Sequence, residues 1–479
     1  GWTDWTSVSE ILDGKSHTIT FTYSANEYVQ NYYACYVSVS NAASGVFRSR
    51  FGTSPVSSVT IGGRRHYLPD GYFLGCSQLK SVDVKDGLEE IGVDAFRDCK
   101  ALSVVCIPSS VTNIGFTAFL GCEALTRVET DDLSAWVRTT FANQSSNPLG
   151  SGADLYAAGA KVECLTIQDG TVEIRDYAFA NCHSITNVVF PASLSKVGKD
   201  AFVGCINLDA VAARSLADWV KIQFGNSNAN PMCNGACLSV DGSPVTELQL
   251  PSGVQEVGDF AFAGGLSLTS AIFPASVTNI GVDAFSGCSS LEDVTFARSE
   301  LLQTRMSLIF PDSPLRKVSL GTGLTDLPDE FFMGLTSLES VTLPDSTRII
   351  GKKVFSNCKV LPSVQIPAGV EEIGEDSFEK CTMIHRVDVD SIRSWCLIEF
   401  KNEKANPLWN GADLYANGEC VKRLEVPDGV SSLHRYAFSG CASIDTVVFP
   451  KGIMQIGWAA FSGCSSVRTL TIADSVEIS

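Results

Sequence analysis

Short apolar strands return along this chain at a nearly constant interval. In the stretch from Leu79 to Phe96 the apolar positions are Leu79, Val82, Val84, Leu88, Ile91 and Phe96. Val82 and Val84 alternate with Ser81, Asp83 and Lys85, the period of a strand with one buried face. Equivalent strands begin at Val59, Val82, Val105, Val128, Leu165, Val188, Val211, Leu248, Ala271, Val294, Val318, Val341, Val364, Val387, Leu424, Val447 and Leu470. The step from Val59 to Val82 occurs twelve times in this series, and that from Val294 to Val318 is a single residue longer. Three steps are much longer: Val128 to Leu165, Val211 to Leu248 and Val387 to Leu424, all equal to one another. One such coil cannot bury its apolar side, whereas stacked coils share a continuous core. The pattern predicts a solenoid of about 17 parallel strands on a concave face, an arc of roughly 80 Å at the usual strand spacing.

Each strand leads to a second landmark. Ala-Phe recurs at Ala95-Phe96, Ala118-Phe119, Ala178-Phe179, Ala201-Phe202, Ala261-Phe262, Ala284-Phe285, Ala437-Phe438 and Ala460-Phe461, with variants at Phe73, Phe332, Phe355 and Phe378. A glycine precedes the pair at Gly92, Gly115, Gly198, Gly258, Gly281, Gly351, Gly374 and Gly457. Its expected role is a tight bend. The spacing fits the general leucine-rich-repeat pattern. Cys76-x-x-Leu79-x-x-Val82-x-Val84 followed by Ile91-Gly92-x-x-Ala95-Phe96-x-x-Cys99 resembles the BspA-like leucine-rich-repeat family, over roughly residues 53–479. The resemblance implies a right-handed, β-rich α/β solenoid. It also implies a place among surface-exposed or secreted proteins of bacteria and some protists, several of them implicated in adhesion to host proteins. That family has no fixed binding motif, so no site residue carries over.

Departures from the pattern are informative. Gly265 and Leu335 replace the repeating Cys, Pro328 and His434 replace the bend glycine, and Phe331 precedes Phe332. The unit between Phe285 and Phe332 lacks Ala-Phe, which predicts a kink or irregular packing around residues 297–317. The three long steps share Leu133-Ser-Ala-Trp136, Leu216-Ala-Asp-Trp219 and Ile392-Arg-Ser-Trp395, each a short amphipathic helix with Asp132, Ser215 or Ser391 as N-cap. Asn147-Pro148, Asn230-Pro231 and Asn406-Pro407 follow, then hairpin signals at Asp241-Gly242 and Asn417-Gly418. Each long coil should therefore carry a helix and a hairpin on its flank. Either its Trp and Phe simply pack this extra layer onto the solenoid, or the hairpin tips, with Tyr156, Trp409 and Tyr415, project aromatic contacts for a partner.

Ten of the 17 cysteines stand three residues after the repeated Phe, among them Cys99, Cys122, Cys205 and Cys381. In-register stacking points neighbouring Cβ atoms the same way, which disfavours a disulfide ladder. Small buried thiols filling a turn are the plainer reading. Cys233 and Cys237 are close enough in sequence to pair.

Chemistry elsewhere is sparse. The strand flanks expected on the concave face are mostly Ser and Thr, and charge gathers at Arg127/Glu129/Asp131, Arg386/Asp388/Asp390 and Arg423/Glu425. These are either self-neutralising exposed pairs or a recognition stripe. The candidate partner-binding set is Arg386, Asp388, Asp390, Trp409, Tyr415, Arg423 and Glu425. A calcium site at Glu129, Asp131 and Asp132 lacks the ordered spacing of a known loop. The five histidines occupy unrelated repeat positions, and no phosphate loop, zinc motif or nucleophile elbow occurs. No cofactor is expected. The net charge of -18 opposes nucleic-acid binding, and no apolar run reaches the length of a membrane span.

Residues 1–52, rich in Thr, Tyr and Val, are expected to form an N-terminal β cap, leaving 53–479 as the solenoid. No capping pattern follows Leu470-Ile472, so a further domain or anchor beyond Ser479 is expected. Two functions remain in view. One is a monomeric, non-enzymatic extracellular or cell-surface binding protein, an adhesin-like module for host or matrix proteins or glycans. The other is a spacer that displays another domain.

Overall fold

Inward residues at every second strand position, repeated once per coil, place like side chains above like. Val59, Val82, Val105 and Val128 are register partners in adjacent parallel strands, and all are buried. A computed structural model of the chain describes residues 18–21, 57–61, 66–299, 302, 303, 305–472, 477 and 478. They form a stack of coils with two rows of parallel strands. A main row holds strands such as Ser81–Val84, and a second row of two-residue strands such as Glu90–Ile91 runs beside the Phe turns.

The chain divides into two units, Gly1–Pro244 with Gly258–Gly264, and Val245–Val257 with Gly265–Ser479. In the first unit a seven-stranded main sheet runs from Thr18–Phe21 to Asp154–Ala157 and ends on the return strand Ala160–Lys161. A five-stranded sheet follows, from Cys164–Thr166 to Cys237–Val240, ending on Ser243–Pro244. The second unit holds main sheets of five, four and three strands. Of the β cap expected over 1–52, only Thr18–Phe21 is described. It pairs in parallel with Ser58–Ile61, and the rest of that expectation lies outside the described residues.

The long coils differ from the expected insertion on the flank. Asp154–Ala157 is a full main-row strand, paired in parallel with Arg127–Thr130. The same holds for Cys237–Val240 on Ala210–Ala213 and for Asp413–Ala416 on Arg386–Val389. Val128 meets Leu155 in register. The long step from Val128 to Leu165 is therefore one enlarged coil, closed at Leu155, plus a hairpin return. Each hairpin terminates its main sheet. The helices are single turns, Leu133–Trp136, Leu216–Trp219 and Ile392–Cys396, capped as expected by Asp132, Ser215 and Ser391.

Trp136, Trp219 and Trp395 are fully buried, and each indole N–H donates to an alanine carbonyl, Ala178, Ala261 and Ala437, at 2.8 Å. The Asn of each Asn-Pro is equally constrained. Asn147, Asn230 and Asn406 cap a 3-10 turn through Oδ1 and donate through Nδ2 to the carbonyls of Tyr177, Phe260 and Tyr436. Those three aromatics hold left-handed backbone, φ 60, 57 and 64. The Trp–Asn pair therefore locks each long coil to its successor, and the packing role of the Trp stands.

Between the strands Asp293–Arg298 and Lys317–Thr322 the main ladder pairs from Asp293 with Lys317 to Phe296 with Leu320, and again at Arg298 with Thr322. The missing Phe is supplied by Phe310 after a one-turn helix, Met306–Ile309, with its ring 5.0 Å from Phe285. Of the irregularity expected around 297–317, the part at residues 300, 301 and 304 lies outside the described residues.

The bend glycines are needed for space and not for conformation. Gly92, Gly115, Gly198, Gly351, Gly374 and Gly457 do not adopt left-handed backbone. A Cβ at Gly92 would lie 2.7 Å from Leu68 O and Asp70 N, and one at Gly115 would lie 2.7 Å from Val93 N. The neighbouring coil passes directly over the glycine. Pro328 and His434 follow the first strands of their second-row sheets, Asp326–Leu327 and Ser432–Leu433, and Pro69 and Arg175 follow two others. With no earlier strand of that row beneath, a side chain is tolerated at these four positions; Gly258, after the first strand Glu256–Val257 of a further second-row sheet, is the exception, since a Cβ there would lie 3.1 Å from Val220 O and Ile222 O. In three of the four an aspartate comes next, and Asp70, Asp176 and Asp329 accept the backbone N–H of Val93, Lys199 and Lys352.

One buried polar position is ill matched. Thr347 is fully buried and its hydroxyl finds no partner, while its repeat equivalents Val111, Val277, Val370 and Ile453 are aliphatic and buried. Thr347→Val should raise stability by about 1–2 kcal/mol, because an unsatisfied hydroxyl is replaced by an isosteric methyl. Thermal melting of the variant beside the parent checks this.

Candidate functional site

The repeating cysteines do more than fill a turn. The Sγ of Cys99, Cys122, Cys205, Cys358, Cys381 and Cys464 lies 2.9–3.3 Å from the carbonyl of a Phe in the preceding turn of the column. Each thiol thus donates across to the neighbouring coil. Cys182 and Cys441, which follow long coils, contact Ser184 and Ser443 instead. Cys233 and Cys237 form no disulfide and are free thiols.

Burial pushes the thiols of Cys122, Cys381 and Cys464 up to about 12. These folded values lie above the ordinary thiol value of about 8.5 in an unfolded chain. Stability from the neutral ladder is therefore complete below about pH 8.5 and lost as pH rises toward 12. The melting temperature should fall progressively above pH 9, and less steeply in Cys122→Ala/Cys381→Ala. Melting series between pH 7 and 11 test this. A thiol reagent at neutral pH should reach exposed Cys164 and Cys237 while sparing the ladder until denaturant is added.

The candidate partner-binding residues fall into separate places. Arg386 and Asp388 share the strand Arg386–Val389, and the guanidinium grips the carboxylate at 2.7 Å (Nε to Oδ2) and 2.6 Å (Nη2 to Oδ1). Tyr415 is the register partner of Asp388 on the next strand, and the Arg386 guanidinium lies 4.0 Å over its ring. The structure brings these three together. Asp390 is exposed just beyond the strand end. Arg423 and Glu425 pair with each other at 2.8 Å on the first strand of the following sheet.

Trp409 belongs to none of these. It lies in the 3-10 turn Pro407–Asn410 and donates its indole N–H to Phe378 O at 3.1 Å. Tyr156 and Tyr415 are likewise not at hairpin tips, which are formed by Ala158-Gly159 and Asn417-Gly418 with left-handed backbone. Both tyrosines stand one strand earlier, on the outward face of the main sheet, and stack under arginines.

The first long coil repeats the cluster. Arg127 engages Glu129 in an ion pair, and its guanidinium lies 3.8 Å over the Tyr156 ring. Lys161 on the return strand pairs with Asp154 at 2.8 Å. The signal was present in the sequence as Gly152-Ala-Asp-Leu-Tyr156-Ala and Gly411-Ala-Asp-Leu-Tyr415-Ala, each at the same distance behind its arginine. The middle long coil has Ala210, Ala212 and Ser239 at the equivalent positions and lacks the cluster. A guanidinium held by a carboxylate and a ring on rigid strands is a preorganised polar contact.

The carboxylates weighed for calcium serve other partners. Glu129 engages Arg127, Asp131 accepts from Ser109, and Asp132 caps a helix. Among the described residues no group of three or more His, Cys, Asp or Glu is arranged to hold a metal. No helix among them is long and apolar enough to cross a membrane.

The family model described as BspA type leucine rich repeat region matches residues 36–147, 152–228, 241–334, 304–404 and 411–479. No curated protein matches the chain in sequence. Among solved structures the chain is similar to a leucine-rich repeat protein from Bacteroides ovatus (20% identity, 88% of this chain and 87% of that one, TM-score 0.36). It is similar also to a leucine rich cell surface protein from Faecalibacterium prausnitzii (22%, 71% and 84%, TM-score 0.30). A third is a leucine-rich repeat protein from Eubacterium ventriosum (22%, 68% and 90%, TM-score 0.35).

Proposed function

As this chain belongs to the BspA type leucine-rich-repeat family, we propose that it is a non-enzymatic binding protein of the cell surface or extracellular space. On this reading it is an adhesin-like module that holds a protein or glycan ligand against the outward face of its main sheets. The observation that carries the reading is the recurrence of one cluster, Arg–carboxylate–Tyr, on two of the three long coils. Most other outward positions are small, such as Ser363, Thr446 and Thr469. Interface energy concentrates in Arg, Tyr and Trp, so contacts centre on Arg386, Asp388 and Tyr415, with Arg127, Glu129 and Tyr156 as a second copy. Asp390, Arg423 and Glu425 serve as a charged rim, where single pairs contribute little.

The test is a binding screen of the whole chain against immobilised extracellular-matrix proteins and glycans. On the surface that retains it, Arg386→Ala should weaken binding about 10–30-fold without changing the melting temperature. Trp409→Ala should lower the melting temperature and leave affinity intact. Full affinity in both Arg386→Ala and Arg127→Ala, with the fold preserved, would move the site off these coils.

A further inference from the structure

The residue after the bend glycine looks outward in coil after coil. In four of the eight it is charged, at Lys199, Asp259, Lys352 and Glu375. Four coils place an apolar side chain there, Val93 (38% exposed), Phe116 (57%), Val282 (65%) and Trp458 (66%). Phe116 remains this open although the next second-row strand, Thr140–Phe141, stacks beside its own. Exposure is thus a property of the position.

Trp458 differs from the other three in what surrounds it. The preceding coil carries His434 and Arg435 where Gly-Val or Gly-Phe would otherwise stand, and over the paired strands of the two coils lies a shallow, open cleft of about 370 Å³. Ser432, His434 and Arg435 form one wall, and Gln455, Gly457 and Trp458 the other. Gly457 lets its coil pack directly against the preceding one, where a Cβ would lie 2.5 Å from the Arg435 N. The indole meets Tyr436 edge-on, with centroids 5.4 Å apart at 83°. Tyr436 is fixed in turn, since its carbonyl accepts the 2.6 Å hydrogen bond from Asn406 of the third long coil. The platform is rigid without being covered.

We propose that this cleft is a carbohydrate-binding site, taking one or two pyranose rings with the C–H face of a sugar against Trp458. The negative face of an indole attracts the weakly positive C–H groups of a sugar ring. The hydroxyls then meet the hydroxyl, imidazole and guanidinium of Ser432, His434 and Arg435. An aliphatic peptide side chain would find those walls polar. The volume lies at the lower end of small-ligand pockets, about 300–1,000 Å³, enough for a mono- or disaccharide. The site stands apart from the Arg386 cluster and does not depend on it.

The whole chain would be titrated with lactose, maltose, cellobiose, N,N′-diacetylchitobiose and sialyllactose, by calorimetry and tryptophan fluorescence. At least one should bind saturably with a dissociation constant on the order of 0.1–1 mM and perturb the emission. Trp458→Ala should abolish binding at an unchanged melting temperature. Trp458→Phe should retain weakened binding, and His434→Ala/Arg435→Ala should weaken it about tenfold. Arg386→Ala should leave sugar binding intact even where it weakens macromolecular binding, so the two sites fail separately. No saturable binding to any of these sugars, or binding that survives Trp458→Ala, overturns the proposal.

Discussion

Phe202→Ala is expected to destabilise its part of the solenoid by about 3–5 kcal/mol. The ring is fully buried, stacks on Phe179 at 5.4 Å with planes 18° apart, and touches Phe190 at 6.0 Å. Three contributions add. Burial of a large apolar side chain is lost, the pairwise ring contacts vanish, and a cavity opens that the neighbouring coils cannot close without leaving their ladder register. Cys205 immediately follows the turn and donates to Phe179 O, so collapse into the cavity would also strain that bond. Chemical denaturation followed by circular dichroism, with hydrogen exchange to localise the loss, measures the effect. A melting curve superimposable on the parent would mean that the Phe rings are not the column between coils.

Gly198→Ala should cost about 3 kcal/mol, a large effect for one methyl group. Its Cβ would lie 2.6 Å from the Arg175 carbonyl carbon and closer still to Asp176 N. The obstacle is backbone, held by the strand pair Glu173–Ile174 with Lys196–Val197 and by the bond from Lys199 N to Asp176 Oδ1. It cannot swing aside as a side chain would. Arg175 occupies the same repeat position one coil earlier, is exposed, and follows the first strand of its row. Arg175→Ala should therefore stay within about 0.5 kcal/mol of the parent. Equal losses in the two variants would show that coil order does not decide where glycine is needed.

Much of this was legible in the sequence because stacking repeats the same demand in every coil. The inward valines, the Phe column and the N-caps Asp132, Ser215 and Ser391 could be read directly. Burial of Trp136, Trp219 and Trp395 was one of two readings, and their bonds to the carbonyls of Ala178, Ala261 and Ala437 decide it. What escaped depends on relations between coils. Asp154–Ala157 presents only one buried residue, Leu155, too little alternation to mark a main-row strand. The bend glycines look conformational until the coil beneath is in place. Tyr156 and Tyr415 read as hairpin residues because the register of a long coil, wider than that of its neighbours, is what sets each under its arginine. The aromatic residues Tyr177, Phe260 and Tyr436 do mark the coil after each long one, at a position that is left-handed in ordinary coils as well, a signal visible in sequence whose meaning lies in the asparagine that reaches them.

The hairpins that end the main sheets bear on how the molecule would respond to tension, as when a tethered protein is dragged by flow. Parallel strands in register share load along the ladder, and stacked repeats couple chiefly to their neighbours. At Lys161 and Cys420 that ladder stops on a two-residue return strand, and the long coil meets its successor through the Trp and Asn bonds and single backbone bonds such as Arg175 N–H to Val137 O and Ala442 N–H to Ala412 O. Chain should then be released under force in packets bounded by these hairpins, several coils at a time, giving a sawtooth with few teeth where a uniform array would yield coil by coil.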